Sequence, residues 1–385
     1  MTRAVDPSSH PFCVFSTVGE PPRVGVAAGE HILDLSAVSS ESCFRSPTLN
    51  DLMSRGPSFW ARVDRLVAQH LATGHDNVGL IPMSHAILHL PVQVTDFVDF
   101  YSGIEHATNA GRILRPGQPP LKPNWRELPT GYHGHAGTIV VSGTDVVRPM
   151  GQLATSNGRP RLAPTERLDA EVELAFVVGV GSTMGSRVSV SQFRDHVFGA
   201  VILIDWSARD IQAYEYDPLG PLLGKSFCTT ISPWVVPVSA LEDARVDGPE
   251  QDPEPLAYLR QDNPRGYDIS LGLTVNGHVL STPSFATMYW TAAQQLAHLT
   301  VNGASVRTGD LYASGTVSSF EPAGQGSLLE LSWGGTRRVE LPDGTWRHYL
   351  EDGDEVGVTA VAKGANGVVD FGGAFGRIVP ARIDG

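Results

Sequence analysis

The chain reads as a mainly β protein of the α+β class, a sandwich or roll with a few short helices. Three observations predict it. Apolar residues fall in strand-length runs rich in Val, Ile and Leu. Gly and Pro, 41 and 28 of 385 residues, break the chain between those runs. Alternating βα units, the mark of a doubly wound sheet, are missing.

The elements follow in order. Residues 11–36 read as short strands interrupted by "GEPP" and "AAGEH". Residues 58–72, "SFWARVDRLVAQHLA", place Trp60, Val63, Leu66, Val67 and Leu71 at helical spacing. "GLIPMSHAILHLPVQV" is a connector with two prolines and short strands, and it puts a boundary near residue 92. Beyond it, strands are predicted at 137–143, 171–179, 199–205, 269–277, 327–333 and 354–364. Helices are predicted at about 102–113, 190–196, 207–214 and 286–298. No internal repeat is visible.

The length suggests two domains, or one large domain with an appendage. A hydrophobic fraction of 41% with 18% charged residues suits a sizeable core and argues against disorder. A net charge of −13 makes nucleic acid and anionic membranes unsuitable partners. The longest aliphatic run, "AVILI" at 200–204, is too short to span a bilayer. Three cysteines, Cys13, Cys43 and Cys228, show no CxxC spacing, so a reducing cytoplasm is expected. The N-terminal "MTRAVDPSSHPFCVF" has no hydrophobic region of the signal-peptide kind.

The chemistry concentrates in "DFYSGIEHATNAGRILR", residues 99–115. Ser102 and Glu105 match an S-x-x-E capping box, which starts a helix near Gly103 and puts His106 in its first turns. The positive end of the helix disfavours imidazolium there, leaving a ring able to accept a proton. A polar histidine bonded near a helix start fits the same stretch. Glu171 and Glu173 lie two apart in a strand, so their side chains share a face. A hard cation between them would relieve their repulsion; a solvated outer sheet face would also accommodate them. Asp205 ends "GAVILID" and on its own reads as a helix cap. Arg209 and Gln212 fall on one helical face, and Lys225 follows in a loop; all three are donors that could meet an oxyanion, or surface groups. His133 and His135 in "YHGHAG" could start a zinc site, but no third ligand follows at a recognisable spacing. Gly179, Gly181 and Gly185 are spaced GxGxxxG and read as a turn rather than a dinucleotide loop. No GxSxG elbow is present.

Long stretches resemble the fumarylacetoacetate hydrolase family. They include the segment at 99–115, "PNWRELPTGYHGHAGTIVVSGTDVVRPMGQ", "LDAEVELAFVVG", "DWSARDIQAYEYDPLGPLLGKSFCTTISPWVVP", "MYWTAAQQLAHLTVNG", "GDLYASGT" and "LLELSWGG", in order from about residue 96. The resemblance implies a small SH3-like β-barrel over 1–91 and a catalytic mixed β-sandwich roll over 92–385, usually in a homodimer. It implies metal-dependent hydrolysis of a carbon–carbon bond in a β-diketo acid, giving fumarate and acetoacetate at the end of tyrosine and phenylalanine breakdown. An acylpyruvate hydrolase or an oxo-acid decarboxylase on the same fold is the rival expectation; a metal-stabilised scaffold without activity is a third.

By the same resemblance, Asp99, Glu171, Glu173 and Asp205 hold calcium or magnesium. His106 activates water with Glu330 as its carboxylate partner. Arg209, Gln212 and Lys225 meet the oxyanion, and Tyr101, Arg115, Tyr216 and Thr316 contact substrate. Lys225 and Thr229 lie where a second cation is held beside Asp205, through backbone oxygens. The chain departs from common animal forms at Gly103, Ile104, Glu105 and His135, and Cys228 replaces a frequent glycine. None of these positions carries an implied role.

Overall fold

The structure is a computed structural model describing residues 10–73, 78–156, 158–364 and 367–382. Residues 1–9, most of the stretch read as lacking a signal peptide, lie outside the described residues. No helix among the described residues is long and apolar enough to cross a membrane.

The N-terminal strands predicted over 11–36 are β1 (Phe12–Ser16), β2 (Arg23–Ala28) and β3 (His31–Asp34). The helix predicted at 58–72 is α1 (Pro57–Thr73). Val63 and Val67 are buried, and Trp60, Leu66 and Leu71 pack on the same core, so its apolar stripe is the one read from spacing. The connector supplies β4 (Leu80–Pro82) and β5 (Ile87–Leu88) as the two edges of a curled antiparallel sheet, ordered β4-β3-β2-β1-β5.

The larger sheet is mixed. It uses β6 (Phe97–Phe100), β7 (Gly131–His133), β8 (Ile139–Val141), β9 (Leu168–Val178), β10 (Val197–Ala208) and β11 (Thr229–Ile231). A second sheet uses β12 (Ile269–Val275) and β13 (His278–Ser281). Then come β14 (Leu311–Ala313), which joins the first sheet, and β15 (Glu355–Gly364) and β16 (Gly367–Val379), which join the second. The first sheet is ordered β7-β6-β14-β9-β10-β11-β8, and the second runs β13-β12-β15-β16 and ends on Val146–Val147. β6 with β14 and β8 with β11 pair in parallel. One apolar core, filled from both sheets, lies between them. This is the mixed sandwich roll the sequence predicts.

Alternation along three strands positions the site. On β9, the even-numbered residues from Leu168 to Val178 all face the inter-sheet core. On the other face, Ala175 and Val177 pack under the N-terminal sheet, whereas Asp169, Glu171 and Glu173 are buried polar groups. β10 repeats the split: Val201 and Leu203 are core, and Asp205 and Ser207 are polar. On β6, Phe97 is core and Asp99 is polar. One sheet face is therefore divided, half covered by the N-terminal unit and half lined with carboxylates.

The helices α2 (Ile104–Leu114), α3 (Arg209–Glu215), α4 (Ala292–Thr300) and α5 (Leu328–Leu331) cap the roll. Several local expectations are corrected. The segment 327–333 is the helical turn α5 and not a strand: Ser327 caps it through the Glu330 N–H, and Asp169 accepts from the Leu328 and Leu329 N–H. The helix expected at 286–298 begins only at Ala292, because Thr291 and Gln294 form a reciprocal capping box there. The helix after β10 begins at Arg209, since the strand runs through Ala208. The Ser102–Glu105 capping box does not form. Gly103 is the cap residue, and Ser102 Oγ instead accepts from Gln295 Nε2 at 2.7 Å. A Cβ at Gly103 would sit 2.8 Å from the Thr316 carbonyl oxygen, so the close approach requires glycine. Burial pushes the Glu105 carboxyl up to about 7, and its Oε2 has no partner among the described residues. Asp205 is no cap; it lies within β10, in register with Glu171. The strand expected over 137–143 is shortened to Ile139–Val141 by a turn at Ala136–Thr138. The glycine run ends in a turn at Gly185, with φ +86°, as expected.

Candidate active site

A cavity of about 480 Å³ opens where the polar half of that face ends. Asp99, Glu171 and Glu173 line it from the strands, His106 and Arg115 from α2 and its end, and Arg209, Gln212 and Tyr216 from α3 and its end. Tyr101, Lys225 and Thr316 line it from loops. Asp205 lies beneath the floor, in contact with Lys225. Thr229 pairs with Asp205 across β10 and β11. Glu330 stands behind His106. Neither His133 nor His135 belongs to a cluster of ligating side chains among the described residues.

His106 and Glu330 form a buried pair. Nδ1 of His106 is 2.7 Å from Glu330 Oε2. Glu330 also accepts from Asn109 Nδ2 at 3.0 Å, Ser318 Oγ at 2.7 Å and Ser327 Oγ at 2.9 Å. An acceptor surrounded only by donors is an ionised carboxylate. Burial alone would raise its pKa, but the His106 ring and these hydrogen bonds hold Glu330 below the usual carboxylate range. The hydrogen on the imidazole is thereby assigned to Nδ1, which leaves Nε2 as the acceptor toward the cavity. Glu171 Oε1 lies 3.5 Å from Nε2.

The carboxylates divide into two groups. Asp99, Glu173 and Asp205 each offer an oxygen within 4.8 Å of the others. Asp99 Oδ1, Glu173 Oε1 and Asp205 Oδ1 are buried without a hydrogen-bond partner among the described residues. Burial raises the pKa of each of the three, and the negative charge of neighbouring carboxylates, Glu171 in every case, adds to it, against the pull of Lys225. Oxygen ligands converging without donors are what a hard divalent cation fits. Glu171 is different. Burial again acts to raise it, but the charges of Arg209 and Lys225 hold it well below the usual range. Its oxygens meet Arg209 Nη2 at 2.6 Å and Lys225 Nζ. The structure thus closes three of the four expected cation-holding carboxylates on one point and turns the fourth toward two cationic side chains. Gly315, at φ +77°, points its N–H at Glu173 Oε2, 3.1 Å away.

The donors are partly engaged. Arg209 gives Nε and Nη2 to Asp169 and Nη1 to Gln212 Oε1 at 3.4 Å. With Gln212 Oε1 accepting, the Gln212 amide nitrogen is left to donate into the cavity. Lys225 meets Glu171 and Asp205, which leaves one of its three N–H bonds. Arg115 donates Nη2 to the Pro120 carbonyl at 2.9 Å, and its buried Nε has no partner among the described residues. Tyr101 stands edge-on to the His106 ring at 5.4 Å.

Sequence reasoning missed four supports. Asp169 continues the i, i+2 spacing of Glu171 and Glu173, so the signal was present. Asn109 lies three residues after His106, on the same helical face. Tyr132, whose hydroxyl donates to Asp99 Oδ2 at 2.8 Å and lies 3.2 Å from Asp205 Oδ2, hid beside the two histidines of "YHGHAG". Ser318 carried no local signal.

Residues 97–373 match the family described as fumarylacetoacetate (FAA) hydrolase C-terminal, and residues 9–91 match fumarylacetoacetase N-terminal. The chain belongs to the fumarylacetoacetate hydrolase family. Within it, the Homo sapiens fumarylacetoacetase is 45% identical over 400 residues, covering 97% of this chain and 96% of that protein. The Oryza sativa fumarylacetoacetase is 43% identical over 414 residues, covering 98% and 96%. Among solved structures, the fumarylacetoacetate hydrolase of Exiguobacterium antarcticum aligns over 97% of this chain and all 100% of that one, with a TM-score of 0.58 at 18% identity. A maleylpyruvate hydrolase from Sphingobium, in complex with manganese(II) and pyruvate, aligns over 97% and 100%, with a TM-score of 0.54 at 16% identity. These two share the fold of the fumarylacetoacetate hydrolase family chain described here.

Proposed function

We propose that this chain is an enzyme that hydrolyses the carbon–carbon bond of 4-fumarylacetoacetate, giving fumarate and acetoacetate, the last step of tyrosine and phenylalanine breakdown. The observation that carries the reading is His106, held by Glu330, facing a cavity over three carboxylates that each keep one buried oxygen without a partner among the described residues. Full-length likeness to proteins named fumarylacetoacetase, at 39–45% identity, favours this substrate over an acylpyruvate.

Asp99, Glu173 and Asp205, with Glu171 turning to join them, would hold a calcium or magnesium ion. When bound, the ion supplies positive charge to the β-diketone oxygens and to the enolate that departs. Lys225 and Thr229 stand where backbone oxygens could serve a second ion. His106 Nε2 takes a proton from water as it adds to the ketone carbon of the fumaroyl group, the bond from that carbon to the acetoacetate methylene then breaks, and Glu330 keeps the ring aligned and stabilises its cation. The free donors of Lys225 and Gln212, with the remaining Nη1 hydrogen of Arg209, face the alkoxide. Protonated His106 then returns the proton to the acetoacetate carbon. Arg115, with Tyr101, Tyr216 and Thr316, holds a terminal carboxylate of the substrate.

The N-terminal unit over 1–91 and the catalytic unit over 92–385 act as two domains of a cytoplasmic homodimer in this reading. The test follows fumarylacetoacetate absorbance with purified protein, before and after chelation and with calcium or magnesium restored. Turnover lost on chelation and recovered with metal supports the reading. Metal binding without turnover of this substrate overturns it in favour of shorter acylpyruvates.

A further inference from the structure

A second cleft, of about 370 Å³, shares no lining residue with the active-site cavity. Four arginines line it: Arg194, Arg245, Arg260 and Arg265. Two of them are neutralised. Arg194 pairs with Glu242, and Arg260 Nε lies 2.9 Å from Glu254 Oε1. Arg245 and Arg265 have no carboxylate partner among the described residues. Their Nη2 groups donate to the carbonyl oxygens of Pro264 and Pro249, and Arg245 lies 5.6 Å over the Tyr267 ring. Nε of Arg265 is buried with no partner among the described residues. Asp262 also lines the cleft and supplies one negative charge.

The N-terminus of α4 opens into the same space. Its capping box satisfies the N–H groups of Thr291 and Gln294. The N–H groups of Ala292 and Ala293, both lining the cleft, have no acceptor among the described residues. In a chain of net charge −13, two guanidinium groups without an ion-pair partner among the described residues and the positive end of a helix line one cleft. The volume lies at the lower end of the roughly 300–1,000 Å³ typical of small-molecule sites.

We infer that this cleft binds a small polyvalent oxyanion carrying phosphate or several carboxylates. Arg245 and Arg265 would grip it from one side, and the Ala292 and Ala293 N–H groups from the other. A monovalent acid would satisfy only one side.

The test is calorimetric titration of the magnesium-loaded protein at fixed ionic strength, with inorganic phosphate, tricarballylate and, as control, acetate. Saturable one-to-one binding of phosphate or tricarballylate, with acetate far weaker, is expected. Whichever of the two saturates identifies the source. The double variant Arg245→Gln/Arg265→Gln should weaken binding by at least about tenfold while keeping turnover without added anion. Ala292→Pro should weaken it by several fold. Proline is favoured at the first helical position, and Thr291, at φ −81° and ψ 160°, accommodates a following proline. Absence of saturable binding overturns the inference, as does equal affinity in wild type and variants. If the double variant fails to fold, unchanged affinity in Ala292→Pro is decisive against it.

Discussion

At the scale of single residues, the His106 imidazole works only in one tautomer and one orientation, and Glu330 sets both. His106→Ala should lower the turnover rate by about 10²–10⁴-fold while leaving calorimetric metal affinity close to wild type. Turnover within threefold of wild type would remove His106 from the mechanism. Asp99→Asn tests the other half of the site. It removes charge from a triad in which each carboxylate keeps one buried oxygen without a partner among the described residues, so divalent-metal affinity should fall by at least about tenfold. Calorimetry showing unchanged affinity would place the ion elsewhere. Residue identity was the most legible scale. A carboxylate pair two apart in a strand, and a histidine early in a helix, announce shared faces and orientation before any coordinates are known. What they cannot announce is which cation answers which carboxylate. Glu171 and Glu173 read alike in sequence, yet one meets Arg209 and Lys225 and the other does not.

At the scale of elements, the turn α5 joins stability to chemistry. Ser327 caps the turn and donates to Glu330, so one hydroxyl serves two purposes. Ser327→Ala should cost about 1–2 kcal/mol, read from denaturant unfolding, and should lower the turnover rate through the loosened Glu330. A variant with wild-type stability and rate would show that the cap is redundant. This turn was also the clearest misreading. "LLELSW" alternates like a strand, and only Asp169, more than 150 residues earlier, supplies the acceptor that makes the helical turn favourable. The long buried strands β9 and β10 were legible because their apolar runs outlast any solvent-exposed alternative. Strand β16 was not, because its glycines mask the apolar pattern. There Gly372, at φ +71°, lets the chain pass Trp234, whose Cδ1 would stand 2.6 Å from a Cβ.

At the scale of the whole molecule, metal and folding are linked. Three buried carboxylates that repel one another oppose the native state until a cation joins them. Chelation should lower the melting temperature, and an ion at 100 times its dissociation constant should restore about 2.7 kcal/mol. Scanning calorimetry with and without calcium checks this; identical transitions would exclude a native cation at the triad. A second linkage lies far from the site. Asp354 accepts from Arg347 Nε at 2.8 Å, Arg347 Nη2 at 2.7 Å, Asn276 Nδ2 at 2.8 Å and the Glu351 N–H at 2.8 Å. Burial opposes ionisation, but these partners hold its pKa below the usual value. The native state therefore favours the ionised form. Its contribution is complete above about pH 4 and is lost as pH falls through the lower native value. Asp354→Asn should destabilise the protein by about 1–3 kcal/mol at neutral pH, and the gap should narrow toward pH 3 in chemical melts. A gap independent of pH would refute the assignment.

The divided face of β9 and β10 also limits how such a protein can change over generations. Register runs unbroken from Leu168 opposite Ala208 to Val177 opposite Gly199. A one-residue insertion in β9 would turn Val172 and Leu174 into the cavity and drive Glu171 and Glu173 into the inter-sheet core. Such a lineage would lose the site and the fold together. The strands are thus closed to gradual drift, whereas α3 and the loop carrying Tyr216 and Leu219 line the same cavity from an exposed edge. New substrate ranges on this scaffold should arise there, by loop exchange, with the carboxylate frame inherited intact.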